Sequence, residues 1–382
     1  MSPDPEPFVP RVACIGECMV ELSLGADAGR DDPPGASAGT GDAGSARVGF
    51  AGDTANTAVY LKRSAGPAAR VGFVSVVGPD ELSRRLRAFL RAEGVDDALV
   101  GTHGRRLPGL YAIATDGRGE RTFSYWRERS AARTLFEPGS DVRTDAGAPH
   151  ASHALDALRR MDLVHLSGIT LAILSPPARE RLCERLARCR ERGVRVSFDS
   201  NYRPALWEDA PTAALWIGRL WRLADIGLPS ADDERALFGD PSAEAIAARL
   251  RQSGVVDGVV KDGERGAVPI PTGVDAPPFE PLERMVDSTA AGDSFDGAFL
   301  AARLAGRTTA DAIAAGHALA RVVVCHPGAI VPREATAAAV AAFADGAGAA
   351  DDGGGAAGDG DDAPTDIARA MSRDPDAGGA SG

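Results

Sequence analysis

The sequence predicts an α/β fold: a mainly parallel central sheet with helices on both faces, and a small separate β-sheet beside it. Three features carry that expectation. Short apolar, β-branched runs alternate with helical segments along most of the chain, as parallel strands joined by helical crossovers require. Two alternating runs at 107–127 meet at Asp116-Gly117 and break the rhythm with a hairpin. Near the end, "ERMV" leads through "DSTAAGD" into the helical "SFDGAFLAARLAG", which reads as a strand–loop–helix unit.

Taken in order, "RVACIGECMVEL" (11–22) is apolar and β-branched and reads as one strand. Residues 25–46 are too rich in Gly, Ala and Asp to pack, and form a flexible surface insertion. Their Gly39-x-Gly41-x-x-Gly44 spacing matches the dinucleotide fingerprint in form only, because no strand leads into it and no amphipathic helix follows. "TANTAVYLKRSAG" (54–66) is helical with Gly66 as its stop, 69–78 is a strand, and 80–95 is an amphipathic helix ending at Gly94. The hairpin at 107–127, with strand material near 18–24 and 46–50, makes the small sheet, a lid. Strands follow at 161–168, 194–201, 224–230 and 254–263, and helices at 176–193, 294–305 and 309–324. One folded domain is expected over 11–340. The acidic Gly/Ala-rich tail 345–382 cannot bury enough apolar surface to fold and should be disordered.

The formal net charge of −12 argues against a nucleic-acid partner, leaving room only for a local basic pocket. No apolar run reaches membrane-spanning length, and the acidic, Pro-rich start lacks a signal pattern. The expectation is a cytoplasmic protein with no membrane partner. The cysteines are odd in number and form no C-x-x-C pair, which favours reduced thiols over a zinc site. Cys14 and Cys18 are expected on one side of one strand.

The stretch "DSTAAGDSFDGAF" (287–299) concentrates the chemistry. The first N–H groups of a helix lack intrahelical partners and carry partial positive charge. Small residues at Ala290, Ala291 and Gly292 let a phosphate approach those groups closely. Asp293 then stands beside the anion, where it can take a proton from an attacking hydroxyl. Read alone, the motif is more often a helix cap. No Gly-x-x-x-x-Gly-Lys loop occurs, which excludes a P-loop ATPase.

This stretch resembles the signature of the ribokinase-like (PfkB) family of carbohydrate kinases, usually Asp-Thr-Thr-Gly-Ala-Gly-Asp. Its Ala-Ala-Gly-Asp form is similar to that of the family's 2-keto-3-deoxygluconate kinases. Further segments match in family order: "GECMVELS" (16–23), "FAGDTANTAVYLKR" (50–63), "FSYWRERSAAR" (123–133), "FDSNYRPALW" (198–207), "VVKDGERGA" (259–267) and "HPGAIVP" (326–332), the last as a closing strand. The resemblance implies a ribokinase-like three-layer α/β/α domain with a β-sheet lid. It implies transfer of the terminal phosphate of ATP to the 6-hydroxyl of a sugar acid, with Asp293 as base and the amides from Ala290 to Asp293 as anion hole. Gly52, Asp53 and Asn56 would bind sugar hydroxyls, and Tyr111 and Tyr125 would line the pocket from the lid. Arg127 and Arg203 would grip the substrate carboxylate, which a planar guanidinium matches with two hydrogen bonds. Asn201, Lys261, Gly263 and Gly266 would face ATP, the last three mainly through backbone contacts. Mg2+ would accompany ATP to neutralise its phosphates. Without the family context, Gly52 to Asn56 reads as a turn and cap, and the arginines as surface ion pairs.

Two departures stand out. The family's Asn-x-x-Glu near 230 is replaced by Ser230 and Asp233, leaving Asp233 or Glu234 to act through water and no direct metal ligand expected. The 25–46 insertion is also longer than the fold needs. Two alternatives stay open: a kinase for a neutral sugar such as fructose or ribose, and a catalytically silent sugar-binding regulator on the same fold. An apolar lid surface leads to the expectation of a homo-oligomer.

Overall fold

The computed structural model describes residues 8–24, 46–115, 121–280, 282 and 284–345. Residues 25–45 of the insertion, the hairpin turn at Asp116-Gly117 and the tail beyond 345 lie outside the described residues. The strands are Arg11–Ile15 (β1), Met19–Leu24 (β2), Ala46–Ala51 (β3), Arg70–Val77 (β4), Val100–His103 (β5), Leu110–Thr115 (β6), Arg121–Trp126 (β7), Val142–Arg143 (β8), Leu163–Ser167 (β9), Arg195–Asp199 (β10), Ile226–Gly227 (β11), Asp257–Lys261 (β12) and Ala267–Pro269 (β13).

The main sheet runs β13-β12-β11-β10-β9-β1-β4-β5-β8. It is parallel except at its edges, where β13 and β8 pair antiparallel. Side chains alternate between faces along each strand, so the central strands are apolar on both sides. On one face Ala13, Ile15, Val164, Val196 and Phe198 pack with Leu182, Leu186, Ile217, Leu220, Ile246 and Leu250 from the helices Pro176–Arg190, Ala210–Trp221 and Ala243–Gln252. On the other, Val12, Cys14, Val71 and Phe73 pack with Val59, Leu86, Leu90, Phe299 and Ile313 from Asp53–Ala65, Glu81–Ala92, Ala291–Leu304 and Thr309–Val323. Each fully buried aliphatic or aromatic side chain contributes about 1.5–3 kcal/mol.

The second sheet is ordered β3-β2-β6-β7, with β2 and β6 parallel and the other pairs antiparallel. Its register sets Glu21, Tyr111 and Tyr125 abreast on one face, with Ser23, Ile113 and Phe123 in the next row.

Several expectations change. The run 11–22 is two strands in two sheets, divided at Gly16 to Cys18. A Cβ on Gly16 would lie 2.1 Å from Thr54 Oγ1, so only glycine lets the chain leave the main sheet here. Cys14 therefore lies in β1 and Cys18 in the connection, so the two do not share a strand, although both side chains pack into the same core. All five cysteines are free, with Cys325 exposed and the others buried. The expected strand at 283–286 is absent over 284–286; Val286 and Asp287 instead donate their N–H groups to Val324 O, and Met285 and Val286 are exposed. Residues 326–330 are bends and 331–332 irregular, not a closing strand. They are held by the Tyr60 hydroxyl, which donates to Ala329 O (2.7 Å) and accepts from Val331 N (3.2 Å). The strand expected at 224–230 shrinks to two residues.

Candidate active site

β1 lies between β9 and β4, so the strand order reverses there. In such sheets a crevice opens at the carboxyl ends of the strands beside the reversal. Ser167, Asp199 and Lys261 end β9, β10 and β12, and Glu17 follows β1 closely. Asp53 and Asp293, in the first turns of Asp53–Ala65 and Ala291–Leu304, join this group.

The head of Ala291–Leu304 is built by Ala290, a left-handed residue at φ 60°, ψ 17°. That conformation costs a non-glycine residue roughly 1 kcal/mol. Asp287 stiffens the approach: its carboxylate accepts from Thr289 N, Thr289 Oγ1 and, at 2.6 Å, Gly328 N. The Ala291 amide donates to Ser288 O at 3.2 Å. Among the described residues, the amides of Ala290, Gly292 and Asp293 make no backbone hydrogen bond. Of the four amides expected to form an anion hole, that of Ala291 is therefore engaged, and the other three have no backbone partner.

Asn56 bridges to this helix. Its Oδ1 accepts from Gly52 N (3.2 Å) and its Nδ2 donates to Asp293 Oδ2 (2.8 Å). Burial first, and then the Asp53 carboxylate, push the Asp293 carboxyl up to about 7, against the pull of Asn56. Asp53 Oδ2 accepts from Ser167 Oγ (2.5 Å) and Asn201 Nδ2 (3.0 Å), and burial raises this carboxyl too. Asn201, expected beside ATP, is thus held on Asp53. Gly52 is needed for space: a Cβ there would lie 2.1 Å from Glu17 O, and its own N–H is engaged by Asn56.

Lys261 enters through its side chain. Its Nζ donates to Asp296 Oδ1 (2.7 Å) and Asp199 Oδ2 (3.2 Å). Gly263 and Gly266 take positive φ values of 55° and 93° in the turn after β12. Asp262 N donates to Gly266 O across that turn (2.8 Å), and the Asp262 carboxylate is gripped by Arg265 and Arg235, which hold its pKa at about 2.

The two arginines have different surroundings. Arg127 is 8% exposed, and its Nε (3.0 Å) and Nη2 (2.5 Å) both donate to Glu17 Oε2. The other oxygen, Glu17 Oε1, is buried without a hydrogen bond. Arg203 is half exposed and pairs with Asp233 at 3.2 Å. Glu234 is fully buried against Arg249, which removes it from the role left open for it, whereas Asp233 lies within electrostatic reach of Asp199 and Lys261. Tyr111 is buried and donates its hydroxyl to Glu21, while Tyr125 is exposed with its ring 5.8 Å from that of Tyr111. Glu17, Ser167, Asp199 and Asp296 were not among the residues the sequence singled out. Asp296 left a local signal one helical turn after Asp293, and Glu17 and Asp199 lie inside the family-matching segments 16–23 and 198–207.

Comparison with known proteins settles the family. The model for the pfkB family of carbohydrate kinases matches residues 9–336. The chain belongs to the pfkB family of carbohydrate kinases. This pfkB-family chain is 40% identical over 331 residues to the 2-dehydro-3-deoxygluconokinase of Escherichia coli (strain K12), an alignment covering 85% of the chain and 98% of that relative. The relative of the same name from Dickeya dadantii (strain 3937) is 38% identical over 330 residues, covering 85% and 97%. The crystal structure of 2-dehydro-3-deoxygluconokinase from Thermotoga maritima superposes with a TM-score of 0.70 at 21% identity, covering 87% of this chain and 99% of that one. That last likeness shows the ribokinase-like fold. No helix among the described residues is long and apolar enough to cross a membrane.

Proposed function

We propose that this pfkB-family chain transfers the terminal phosphate of ATP to the 6-hydroxyl of 2-keto-3-deoxygluconate (2-dehydro-3-deoxygluconate), giving the 6-phosphate and ADP. The observation that carries the reading is Asp293 itself. It is a carboxyl pushed up to about 7, hydrogen-bonded by Asn56 and set beside amides that have no backbone partner. A base is most effective when its pKa lies near the working pH. Asp293 takes the proton of the 6-hydroxyl, the oxygen bonds to the terminal phosphorus, and the bond to the bridging oxygen breaks. The helix-head amides receive the charge on the transferred group.

Asp53, carried by Ser167 and Asn201, accepts from sugar hydroxyls and keeps the base proton-avid. Arg127, braced by Glu17, and Arg203 take the substrate carboxylate. Tyr111 and Tyr125 cover the sugar from the small sheet, whose closure excludes water as a competing acceptor. The turn at Gly263 and Gly266 would lie along the nucleotide. Among the described residues no three His, Cys, Asp or Glu side chains gather into a cation cage. Mg2+ would accompany the nucleotide phosphates, and Asp233 would hold it through water. When bound, the cation neutralises phosphate charge. The relatives sharing that substrate in their names support a sugar acid over a neutral sugar.

A coupled ADP-release assay over a panel of sugar acids and neutral sugars tests this. The keto-deoxy acid should give the highest kcat/KM. Preference for fructose or ribose would replace the substrate reading, and no release with any sugar would favour a silent regulator.

A further inference from the structure

The 261–266 motif points to backbone contacts with a nucleotide, yet the Lys261 side chain reaches the reacting centre. Its Nζ is held between Asp296 and Asp199, and the side chain is 14% exposed. The Asp296 side chain is almost fully buried. Nζ also lies 3.4 Å from where a Cβ on Gly292 would stand, an ordinary van der Waals distance that puts the ammonium against the helix head. Beside it are the amides of Gly292 and Asp293, which have no backbone partner. An ammonium carries three N–H donors, and the two carboxylates account for two. Asp296 lies one turn beyond Asp293, so a single rigid helix carries both the base and one holder of the cation.

We propose that Lys261 donates its remaining N–H to the phosphoryl group in transit, completing the anion hole, and that Asp199 and Asp296 are positioning residues that aim it. This rests on the kinase reading above. The phosphoryl group in such reactions spreads charge over its equatorial oxygens, and a fixed cation meets charge that backbone amides alone only partly offset. Burial by itself would pull the Lys261 ammonium down; Asp199 and Asp296 outweigh it and hold the group above its usual value, so it stays charged. The step balances without it. The acceptor oxygen–phosphorus bond forms, the bond to the bridging oxygen breaks with its electron pair leaving on ADP, the hydroxyl proton goes to Asp293, and Lys261 keeps its proton throughout.

The test is nucleotide binding by calorimetry, using ADP and the β,γ-imido analogue of ATP. The double variant Lys261→Met/Asp296→Asn keeps the local net charge and avoids stranding Asp296. It should lose at least about tenfold in affinity for the imido analogue, as loss of a charge-assisted hydrogen bond does, while ADP affinity stays within about threefold. Turnover should fall about 10²-fold with the sugar KM little changed. Lys261→Arg should recover part of the imido-analogue affinity. A structural bridge would instead lower both nucleotide affinities together, or neither, and either result overturns the assignment. A wild-type chain that phosphorylates no sugar acid but shows the nucleotide difference removes the substrate reading and leaves the lysine assignment standing.

Discussion

Replacing Asp293 by Asn separates the base from the fold in one experiment. Asparagine keeps the shape, and its side-chain oxygen can still accept from Asn56 Nδ2. In the wild type the carboxyl rises from its ordinary 3.8 to about 7. Between those two pH values the folded protein holds a proton that the unfolded chain has lost, so this group's contribution to stability falls as pH rises from about 4 to about 7 and is level above. The full interval corresponds to about 4 kcal/mol. Asp293 is only partly buried by surface area, so solvent screening reduces the realistic penalty to about 1–2 kcal/mol. Asn carries no such penalty. Asp293→Asn should raise Tm by about 2–3 °C at pH 8, given the unfolding entropy of a domain this size, with the gain shrinking towards pH 5. Turnover should fall by about 10²–10⁴. Scanning calorimetry at both pH values, with the ADP-release assay, reads both effects. A variant no more stable than wild type at pH 8 would refute the buried-charge argument. Wild-type turnover would remove Asp293 from the base role.

Other outcomes follow from single contacts. In the wild type, kcat/KM should rise with pH to a plateau with an apparent pKa near 7, because the base must be deprotonated; a profile flat from pH 5 to 8 contradicts this. Arg127→Ala should raise KM for the keto-deoxy acid by about 30-fold or more while sparing fructose turnover. It strands the buried Glu17 carboxylate, so adding Glu17→Gln should restore Tm but not KM, and recovery of both would place Arg127 outside the carboxylate site. Gly52→Ala should lower the urea midpoint by the equivalent of about 2–3 kcal/mol, since the new methyl meets Glu17 O. Ala290→Gly should be neutral or stabilise by up to about 1 kcal/mol, relieving the left-handed strain. Ala298→Gly, in the interior of the same helix, should cost about 1 kcal/mol or more.

What repeats locally was readable from the chain alone. Alternating apolar runs and helical segments set the main sheet and its covering helices, because periodicity is fixed by the burial of neighbouring residues. The helix after Ala290, the turn at Gly263 to Gly266 and the family signature were legible for the same reason. What escaped depends on residues far apart in the chain. Nothing near Gly16 reveals that Thr54 leaves no space there, so a run that reads as one strand divides between two sheets. Asp199, Lys261 and Asp296 meet only because β10, β12 and the late helix end at one crevice. Arg127 and Glu17 stand 110 positions apart and pair only in the fold. Sequence supplies the charges and the spacing along the chain. Which carboxylate is shielded, and which cation it faces, is decided by tertiary packing, because Coulomb and desolvation energies depend on distance and burial in space.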